Sequence, residues 1–556
     1  MVKNSKLILL IIILFVGGCA NQMAPGGGEV DRIPPTVIES FPKDGTTNYK
    51  DQYLEIKFSE YVDRLSVQNA IFISPALEKG FDYGWTGKSL TIEIKDTLLE
   101  NTTYTVTIGT DVVDLNNRNK MAEPYSFVFS TGNKIDKGKI SGTVRTERVN
   151  DVMIFAYQSD DEIDPGKLKP NYISQIGEKG SYSLVGLRDG NYKIFAVRDN
   201  LKDLLYQPNE EDYGTQSKKI VLQIPQIVEV NNIDFFLSKE DTVAPKLNSA
   251  FMTDRNHLVV EFNEGVDSTL LSANNFSLID TTTNKQYKPD YFIKADLKRN
   301  QFCVIFKDTT SFANCQLLLK DFKDLKGNVT EQDRIPFIYK NVKDTTLNKI
   351  TRLSGNNFEN KVEYDEPLLN VQFFDAIDST EVMNRISIED ERKNRIPFTF
   401  KKTDDALFQL HISQKLKQGA EYILLLDMKN YIGNSKKTID TVYQHKFAAT
   451  SELDFSGVSG TVTSADQIQK YVVVESISSP KTVYKQKVDN KNKFDFKKII
   501  PGKYIAWTFK DRNNNNKYDF GKIKPFIFSE EFKFFPDTLN LRARWPVGDV
   551  NISFDK

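Results

Sequence analysis

A loop near the C-terminal end, residues 511–521, carries the residue pattern with the clearest chemistry. Oxygen donors recur along it at spaced positions: Asp511, Asn513, Asn515, Lys517 through its backbone carbonyl, and Asp519. A hard divalent cation takes six to eight oxygen ligands, and alternate residues of a tight loop bring them to one centre. The pattern predicts one weakly bound Ca²⁺, because the charge is low and Lys522 stands where a bidentate glutamate is expected. An Asn-rich turn without metal is the alternative, since such turns commonly join strands.

Paired carboxylates occur in a repeated pattern, Phe-x-acid-x-Val/Ile-Asp, as Glu60 with Asp63, Glu264 with Asp267, and Asp375 with Asp378. Such pairs can perform acid–base catalysis. Because three copies lie at the same end of a strand, we expect instead a structural role, in which the acids bond backbone groups where the strand turns.

Metal sites and acid–base sites built on histidine are not expected, because the sequence has only three histidines, His257, His411 and His445, and they are well separated along the chain. The sequence contains no serine-hydrolase elbow, zincin helix, phosphate loop or dinucleotide fingerprint. We therefore predict that the chain is not an enzyme and has no catalytic residues.

Two cysteines, Cys303 and Cys315, fall on the segments 301–307 and 314–320, which we expect to be neighbouring strands. An exported protein allows a disulfide between them, which would stabilise the fold by roughly 3 kcal/mol through the entropy of a short loop. Two buried thiols are an equal alternative. A catalytic cysteine is disfavoured because no histidine lies nearby in the sequence.

Nine Asp-Ser or Asp-Thr pairs are followed by a small or aliphatic residue, against roughly two expected from average composition. They resemble the O-glycosylation sequon of exported Bacteroidota proteins. The resemblance implies sugar attachment within the set Thr97, Thr242, Ser268, Thr281, Thr309, Thr345, Ser379, Thr441 and Thr538. The alternative is that Asp-Thr simply suits a turn that enters a strand.

The elements that position these residues are strands, because apolar residues alternate between Gly, Asn and Asp turns along the chain. One repeat begins at Leu54, Leu258 and Leu369 and contains the paired acids. Each copy leads through an Asn or Gly turn to a predicted closing strand, at residues 125–129, 336–339 and 443–447.

A second repeat is seen in Ser141-Gly-Thr-Val and Ser459-Gly-Thr-Val, and later in Gly190-Asn-Tyr and Gly502-Lys-Tyr. In both copies the following strand ends in a basic residue and an aspartate. The loop after Asp199 has Leu201 at its third position, so we predict that it binds no ion.

The chain is thus predicted to be all-β, a rod-like tandem array of Ig-like and prealbumin-like β-sandwiches. Ig-like sandwiches are expected at 34–134, 241–342 and 343–452, and prealbumin-like sandwiches at 135–240 and 453–556.

The N-terminal segment predicts export. Residues 1–18 combine a positive start, an apolar run and small residues, which is typical of a secretory signal peptide too short to span a membrane. Val16-Gly-Gly-Cys19 resembles the lipobox of bacterial lipoproteins, which implies acylation of Cys19 and a membrane anchor. An ordinary signal peptide with an incidental cysteine is the alternative. Residues 19–33 are predicted to form a flexible tether. Their first acidic residues, Glu29 and Asp31, come later than in the surface-export signals of Bacteroidota lipoproteins. The sequence therefore does not decide between the periplasmic face and the cell-surface face of the outer membrane.

The repeats also carry a resemblance to known families. Pro34-Pro-Thr-Val, Phe58-Ser-Glu60 and residues 127–132 make the first sandwich similar to the bacterial Ig-like domain of S-layer proteins. The second repeat resembles the prealbumin-like, carboxypeptidase regulatory-like sandwich. The arrangement is similar to that of Bacteroidota Ig-like-domain lipoproteins, whose closing Leu-Arg-Ala-x-Trp is echoed at residues 541–545. This resemblance implies adhesion, scaffolding or spacing rather than catalysis.

The composition of the chain argues against one class of partner, nucleic acid, because the 74 Lys and Arg residues are balanced by 75 Asp and Glu residues. The hydrophobic content of 39% is sufficient for packed cores. We expect an outer-membrane lipoprotein that needs no cofactor and serves as a scaffold or binding subunit of an envelope protein complex, such as the outer-membrane protein assembly or transport machinery. Its partners would be outer-membrane or periplasmic proteins.

A glycan-binding lipoprotein that presents carbohydrate to a transporter is the alternative. The candidate stacking residues are Tyr83, Trp85, Trp507 and Trp545, although core packing explains each of them equally well.

Overall fold

A computed structural model describes residues 30–555 except 78, 295–297, 299, 308–313, 356–359, 432–439 and 480. The predicted signal peptide, Cys19, Thr309 and the turn at Gly433 therefore lie outside the described residues. The chain divides into two compact units. The first contains Met1–Gln207, Glu211–Ser238 and Phe520–Ser529, and the second contains Pro208–Glu210, Lys239–Asp519 and Glu530–Lys556.

The first sandwich consists of β1 (Val37–Phe41), β2 (Tyr53–Phe58), helix α1 (Arg64–Asn69), β3 (Ile71–Ser74), β4 (Phe81–Thr86), β5 (Ser89–Ile94), β6 (Thr103–Ile108) and β7 (Tyr125–Ser130). Its sheets have the orders β1-β2-β5-β4 and β3-β6-β7. Every second residue of β2 is buried, and Leu54, Ile56 and Phe58 pack in one core with Phe127 and Phe129. This period of two gives each sheet one apolar face, so the sheets close over a common core.

The second sandwich consists of β8 (Gly138–Arg145), β9 (Val152–Gln158), β10 (Tyr172–Gln175), β11 (Ser181–Leu187), β12 (Gly190–Arg198), β13 (Asp212–Thr215), β14 (Ile220–Leu222), β15 (Glu229–Val230), β16 (Phe235–Phe236) and β17 (Ser238–Lys239). One sheet has the order β10-β9-β12-β13-β17 with β14 on β12, and the other has β11-β8-β15 with β16 on β8. Strands β15 and β16 run parallel to β8.

The third sandwich consists of β18 (Leu247–Met252), β19 (His257–Phe262), 3-10 helices Ser268–Leu270 and Ala273–Asn275, β20 (Phe276–Asp280), β21 (Lys285–Tyr287), β22 (Tyr291–Ile293), β23 (Gln301–Ile305), β24 (Cys315–Lys323) and β25 (Val329–Phe337). The sheet orders are β18-β19-β23-β22 and β21-β20-β24-β25. The closing strand predicted at 336–339 is wrong in position, because pairing with β24 starts at Val329 directly after the turn. This strand was hidden because its first eight residues are exposed or half-buried and show no apolar alternation.

The fourth sandwich consists of β26 (Ile350–Gly355), β27 (Lys361–Val362), β28 (Leu368–Phe373), helix α2 (Ser379–Arg385), β29 (Ile386–Asp390), β30 (Phe398–Lys402), β31 (Leu407–Ile412), β32 (Glu421–Asp427) and β33 (Val442–Ala449). Its sheets have the orders β26-β28-β31-β30 and β27-β33-β32-β29. In both the first and the fourth sandwich, the repeated acid pair thus lies between a strand and a short helix, β2 and α1 in the first and β28 and α2 in the fourth.

The fifth sandwich follows a 3-10 helix (Glu452–Asp454) and consists of β34 (Ser456–Thr463), β35 (Gln469–Ser476), β36 (Val483–Lys487), β37 (Lys493–Ile499), β38 (Gly502–Asp511), β39 (Phe532–Phe534), β40 (Leu539–Leu541) and β41 (Val547–Ser553). The sheet orders are β37-β34-β41 and β36-β35-β38-β39 with β40 on β38. The predicted all-β architecture of tandem sandwiches is confirmed.

The repeated glycine of Ser-Gly-Thr-Val has a packing cause. A Cβ on Gly142 would lie 2.0 Å from the Ile233 carbonyl oxygen, and one on Gly460 would lie 2.0 Å from that of Val550. In the fifth sandwich β34 runs parallel to β41, which contains Val550. Only glycine therefore permits this close approach of the backbones.

The segment Phe520–Ser529, which belongs to the first unit, packs on the second sandwich. Ile523 joins a buried cluster with Phe155, Phe195 and Tyr213. The Ser529 hydroxyl donates to the Thr215 carbonyl at 2.7 Å. The face of the β9-β12-β13 sheet that carries Phe155, Phe195 and Tyr213 is thus covered by this segment and is not exposed to solvent.

Candidate functional site

The loop predicted to hold calcium follows β38 directly, and its first residue, Asp511, is 2% exposed. Its carboxylate accepts hydrogen bonds from the backbone N–H groups of Asn515 (3.1 Å) and Asn516 (2.9 Å). Asn514 and Asn516 adopt left-handed conformations, with φ of 60° and 62°, which asparagine tolerates. The tight turn that the predicted site requires is therefore present.

The remaining donors of this loop gather at Asp519. The side-chain amides of Asn513 and Asn515 donate to Asp519 Oδ2 at 2.7 and 2.9 Å, and Lys517 N donates to Asn515 Oδ1 at 2.7 Å. A half-turn of either amide would present its oxygen to the same centre. The structure thus brings the predicted donors into one loop.

Glu530 is a further possible oxygen ligand, which the sequence analysis did not identify. It is 4% exposed, and its two carboxylate oxygens accept Arg512 N at 2.7 Å and Asp519 N at 3.2 Å. Burial raises the pKa of Glu530, and the charges of Asp519 and Asp511 raise it further. The two carboxylates of the loop, Asp511 and Asp519, are thus joined by a third, from the segment between Ser529 and β39.

The second acid of each repeated pair caps a short helix. Asp63 accepts Ser66 N at 2.8 Å at the start of α1, Asp267 accepts Thr269 N at 3.1 Å, and Asp378 accepts Thr380 N at 2.8 Å at the start of α2. The predicted structural role is confirmed for these three, although the partner is a helix N-terminus rather than a strand turn.

The first acid of the pair belongs to a different cluster. Glu60 lies with Asp31 and Asp114, and Glu264 lies likewise with Asp241 and Asp324, with one oxygen of each acid within 4.8 Å of the others. Burial and the charges of Asp114 and Asp31 raise the pKa of Glu60. These oxygens are hard ligands of the kind that Ca²⁺ takes.

Internal hydrogen bonds already account for the most buried member of the first of these clusters. Asp114 accepts the N–H groups of Asn117 and Arg118 at 2.8 Å each and the Asn119 amide at 2.7 Å. Burial raises the pKa of Asp114, but these bonds outweigh it and the net shift is downward. The same turn-closing bonds serve Asp324.

In the fourth sandwich the corresponding acid, Asp375, meets a histidine. His257 Nε2 lies 3.2 Å from Asp375, and Nδ1 lies 2.7 Å from Asp254 and 3.8 Å from Asp344. Burial lowers the pKa of His257, but the hydrogen bonds and charges of Asp254 and Asp375 raise it to about 9. The sequence analysis predicted little histidine chemistry because the three histidines are far apart along the chain, and it did not consider these aspartates as partners of His257.

The two cysteines lie in opposite sheets, Cys303 on β23 and Cys315 on β24. Both are buried thiols, so the disulfide alternative is wrong and the thiol alternative is confirmed. The expectation of neighbouring strands is wrong, because β23 pairs with β19 and β22 whereas β24 pairs with β20 and β25. Burial, with the charge of Asp280, raises the pKa of the Cys315 thiol to about 11.

The Asp-Ser/Thr pairs within the described residues are accessible to solvent. The modified residue would be exposed at Thr97, Thr242, Thr281, Thr345 and Thr538 and half-buried at Ser268, Ser379 and Thr441. Several of the aspartates also close turns, as in Asp280 to Thr282 N at 2.9 Å and Asp344 to Thr346 N at 2.8 Å. The turn role is therefore confirmed at these positions, and glycosylation stays a prediction.

The aromatic candidates differ in exposure. Trp507 is buried between Phe509 and Phe534, and Trp85 is half-buried over Phe58. Trp545 is 73% exposed on a turn closed by its N–H to the Arg542 carbonyl at 3.1 Å. Trp545 is thus available to a partner.

A cavity of about 340 Å³ lies in the first unit, between the first and second sandwiches. Its walls combine amides with apolar groups: Gln68, Asn69, Phe72, Met153 and Gln175. Asp111 also lines it and receives hydrogen bonds from Lys120 at 2.9 Å and Gln175 at 3.2 Å. The cavity therefore offers both hydrogen-bonding groups and an apolar wall.

Among the described residues, no helix is long and apolar enough to cross a membrane. A search of curated proteins returns no match.

Solved structures with local likeness include the N-terminal part of the bacterial S-layer protein SbsC, at 17% identity over 38% of this chain and 45% of that chain, with a TM-score of 0.16. The BSP domain of a biofilm associated protein is 9% identical over 77% of this chain and 99% of that chain, with a TM-score of 0.17. SGBP-B of the Bacteroides ovatus mixed-linkage glucan utilization locus, in complex with a mixed-linkage heptasaccharide, is 9% identical over 73% and 94%, with a TM-score of 0.18.

Residues 31–131 match the family model of the bacterial Ig-like domain, in agreement with the paired sheets of the first sandwich. This segment of the chain is therefore a bacterial Ig-like domain.

Proposed function

We propose that the chain is a non-enzymatic, lipid-anchored protein of the bacterial outer membrane and a scaffold or binding subunit of an envelope protein complex. Cys19 would carry the acyl anchor, and the sandwiches would offer strand edges and loops to protein partners. Machinery for outer-membrane protein assembly or transport is the proposed setting.

Several groups with catalytic chemistry have structural tasks, which supports a non-enzymatic role. Asp63 and Asp378 cap helices. His257 is held among carboxylates, and the Cys315 thiol is buried with a raised pKa. A nucleophile needs a lowered pKa or an adjacent base, and Cys315 has the opposite environment.

The observation that carries the proposal is that neighbouring sandwiches share buried contacts. In the second unit, the core of the fourth sandwich includes residues of the third: Val259, Ile293, Cys303 and Ile305. Phe292 N also donates to Asp405 Oδ2 at 2.8 Å, and Asp405 N donates to the Phe292 carbonyl at 3.2 Å. A shared core of this kind resists bending far better than a flexible linker does.

The first unit has a comparable junction between its two sandwiches. The Thr105 hydroxyl donates to the Val185 carbonyl at 3.0 Å, and Thr110 donates to the Ile176 carbonyl at 3.1 Å. Fixed angles between modules would let the chain hold partners at set positions, which is what a scaffold requires.

The test is cross-linking in intact cells that express the tagged chain, followed by membrane fractionation. The proposal expects outer-membrane fractionation and discrete cross-linked adducts with envelope proteins, and it expects Cys19→Ser to release the chain from the membrane. An anchored wild-type chain that gives no adducts would contradict the scaffold role.

Glycan binding is the second candidate, and the cavity of the first unit is the observation that favours it. A sugar presents hydroxyl groups at its edge and C–H groups on its faces, and the amides and Phe72 of the cavity match both. The cavity volume of about 340 Å³ suits a small group such as one sugar ring.

Binding to a polysaccharide panel tests this second candidate. Loss of binding in Asn69→Ala would place the site in the cavity, whereas loss only in Trp545→Ala would place it at the exposed turn. Absence of binding to every glycan of the panel would contradict this candidate.

A further inference from the structure

The turn between β40 and β41, at residues 542–545, carries two arginines and a tryptophan on its surface. Trp545 is 73% exposed, and Arg542 and Arg544 are exposed as well. Neither arginine side chain forms an ion pair or a hydrogen bond with any described residue. Residues 542–545, which we name the Arg–Trp turn, therefore present an apolar ring together with two positive charges that the described part of the chain leaves without a counter-charge.

Backbone hydrogen bonds hold the Arg–Trp turn in one conformation. Trp545 N donates to the Arg542 carbonyl at 3.1 Å, and Arg544 N donates to the Phe455 carbonyl at 2.9 Å. The Ser456 hydroxyl donates to the Trp545 carbonyl at 2.9 Å. Arg542 and Trp545 are antiparallel bridge partners, and residues paired in this way project their side chains to the same face. One guanidinium group therefore lies on the same side as the indole, on a backbone that is already ordered.

Arg544 occupies a backbone conformation that does not suit arginine. It is the third residue of the turn, and its φ of 71° lies in the left-handed region. Glycine or asparagine is favoured at such a position, because a Cβ atom is crowded by the backbone there. Stability alone would therefore favour glycine. Since backbone strain is concentrated at functional sites, the arginine points to a role outside the fold.

The second sandwich has a corresponding turn without these side chains. Strand β14 pairs with β12 as β40 pairs with β38, because in both cases the last residue of the short strand lies opposite the glycine that begins the long one. Directly after β14, Gln223 bridges to Ile227, just as Arg542 bridges to Trp545 directly after β40. The fold thus accepts glutamine and isoleucine at these two bridge positions, and it does not require arginine and tryptophan.

We propose that the Arg–Trp turn docks an acidic segment of a partner protein, with an apolar side chain against Trp545 and carboxylates at Arg542 and Arg544. This inference rests on the proposed scaffold or binding role and names a surface that performs it. A guanidinium group matches a carboxylate with two parallel hydrogen bonds. Tryptophan and arginine are also the residues that most often dominate the energetics of protein interfaces.

The chemistry of the turn favours this partner over a membrane or a neutral glycan. Binding to an anionic membrane typically uses clusters of about four to eight basic residues, whereas this turn has two. The hydroxyl groups of a neutral glycan need acceptors as well as donors, and a guanidinium group only donates. Leu453, two residues before the Phe455 that bonds the turn, is 55% exposed and adds apolar area of the kind that the centre of a protein interface buries.

The first test is the binding of labelled synthetic peptides to the full chain, followed by fluorescence polarisation. One peptide set places glutamates on both sides of a leucine or phenylalanine, and the matched set has glutamines instead. We expect the wild-type chain to bind the acidic set at least tenfold more tightly. Equal affinity for the two sets would overturn the proposal. Binding to neutral oligosaccharides or to phosphatidylglycerol vesicles without binding to the acidic peptides would also overturn it.

The matched variant copies the corresponding turn of the second sandwich by combining Arg542→Gln with Trp545→Ile. Because the fold accepts these residues there, the double variant should unfold at the same denaturant concentration as the wild type and lose its preference for acidic peptides. Arg352→Gln, at an exposed arginine of β26, controls for the loss of a positive charge and should bind as the wild type does. A preference that persists in the folded double variant would overturn the proposal.

Arg544→Gly separates binding from stability. It should relieve the strained backbone and move unfolding to a higher denaturant concentration, while it weakens the binding of acidic peptides. A less stable Arg544→Gly chain would show that the arginine serves the fold, which would contradict its assignment to a partner surface.

Gentle detergent extraction of the wild type and the double variant distinguishes this surface from the scaffold role itself. The proposal expects the envelope protein that accompanies the wild-type chain to be depleted at least tenfold from the double variant. Equal recovery with both chains would overturn the Arg–Trp turn as the docking surface and leave the scaffold role standing. A wild-type chain recovered alone would contradict both.

Discussion

His257 of the third sandwich reaches across to the fourth, where its Nε2 atom lies 3.2 Å from both carboxylate oxygens of Asp375. Asn348 fixes the position of Asp375, because its side-chain oxygen accepts a hydrogen bond from Asp375 N at 3.0 Å. His257 and Asp375 are 8% and 1% exposed. Because the pair is shielded from solvent, its contribution to the stability of the fold depends on whether His257 is protonated.

The pH dependence of stability follows from this pair. The pKa of His257 is raised from 6.5 to about 9, so its contribution is complete below pH 6.5 and is lost as the pH rises through 9. The full contribution is on the order of 3 kcal/mol, at 1.36 kcal/mol for each unit of pKa. We expect urea unfolding to show the second unit losing this stability between pH 7 and pH 10.

His257→Gln is the matched variant, since it keeps a hydrogen-bonding side chain without the charge. Its stability should change less over the same pH range than that of the wild type. Parallel pH profiles for the two chains would show that the pair does not hold the junction.

The helix caps give a second prediction. Asp63→Ala removes the bond to Ser66 N and should lower the free energy of unfolding of the first sandwich by about 1 kcal/mol. Asp63→Asn should restore most of it. Asp82→Ala is the control, because Asp82 makes an exposed ion pair with Lys95 that is expected to contribute little. An equal loss in Asp63→Ala and Asp82→Ala, measured by denaturant unfolding, would contradict the capping role.

Thiol reactivity provides a third prediction. Cys303 and Cys315 are buried, and the pKa of Cys315 is about 11, so neither should react with a thiol reagent in the folded chain at pH 8. Both should react after unfolding without a reductant. Mass spectrometry that finds a bond between them, or rapid labelling in the folded state, would contradict this arrangement.

Trp545 leads to a fourth prediction. Because its side chain is 73% exposed while Trp507 is 8% exposed, iodide should quench the fluorescence of Trp545 selectively. Trp545→Ala should change the free energy of unfolding by less than about 0.5 kcal/mol. A large loss of stability would show that the residue belongs to the fold rather than to a partner surface.

The sandwiches were predictable because their strands alternate with a period of two. Strand β2 shows this directly, with Leu54, Ile56 and Phe58 buried and the residues between them exposed. The opposite case is β25, whose exposed sequence from Val329 has no such alternation, so the closing strand was misplaced. Helices α1 and α2 are too short to leave a helical period in the sequence.

The sites were predictable only where their residues are close along the chain. The donors from Asp511 to Asp519 lie on one loop and were found by spacing. Glu530 was missed because the Phe520–Ser529 segment separates it from that loop.

The most direct test of the scaffold proposal is gentle detergent extraction of the tagged full chain, followed by quantitative mass spectrometry of the proteins that accompany it. The Cys19→Ser chain, extracted in parallel, controls for contacts that form only after lysis. The proposal predicts an envelope protein in about equimolar amount with the wild-type chain and its depletion from the control. A wild-type chain that is recovered alone would contradict the proposal.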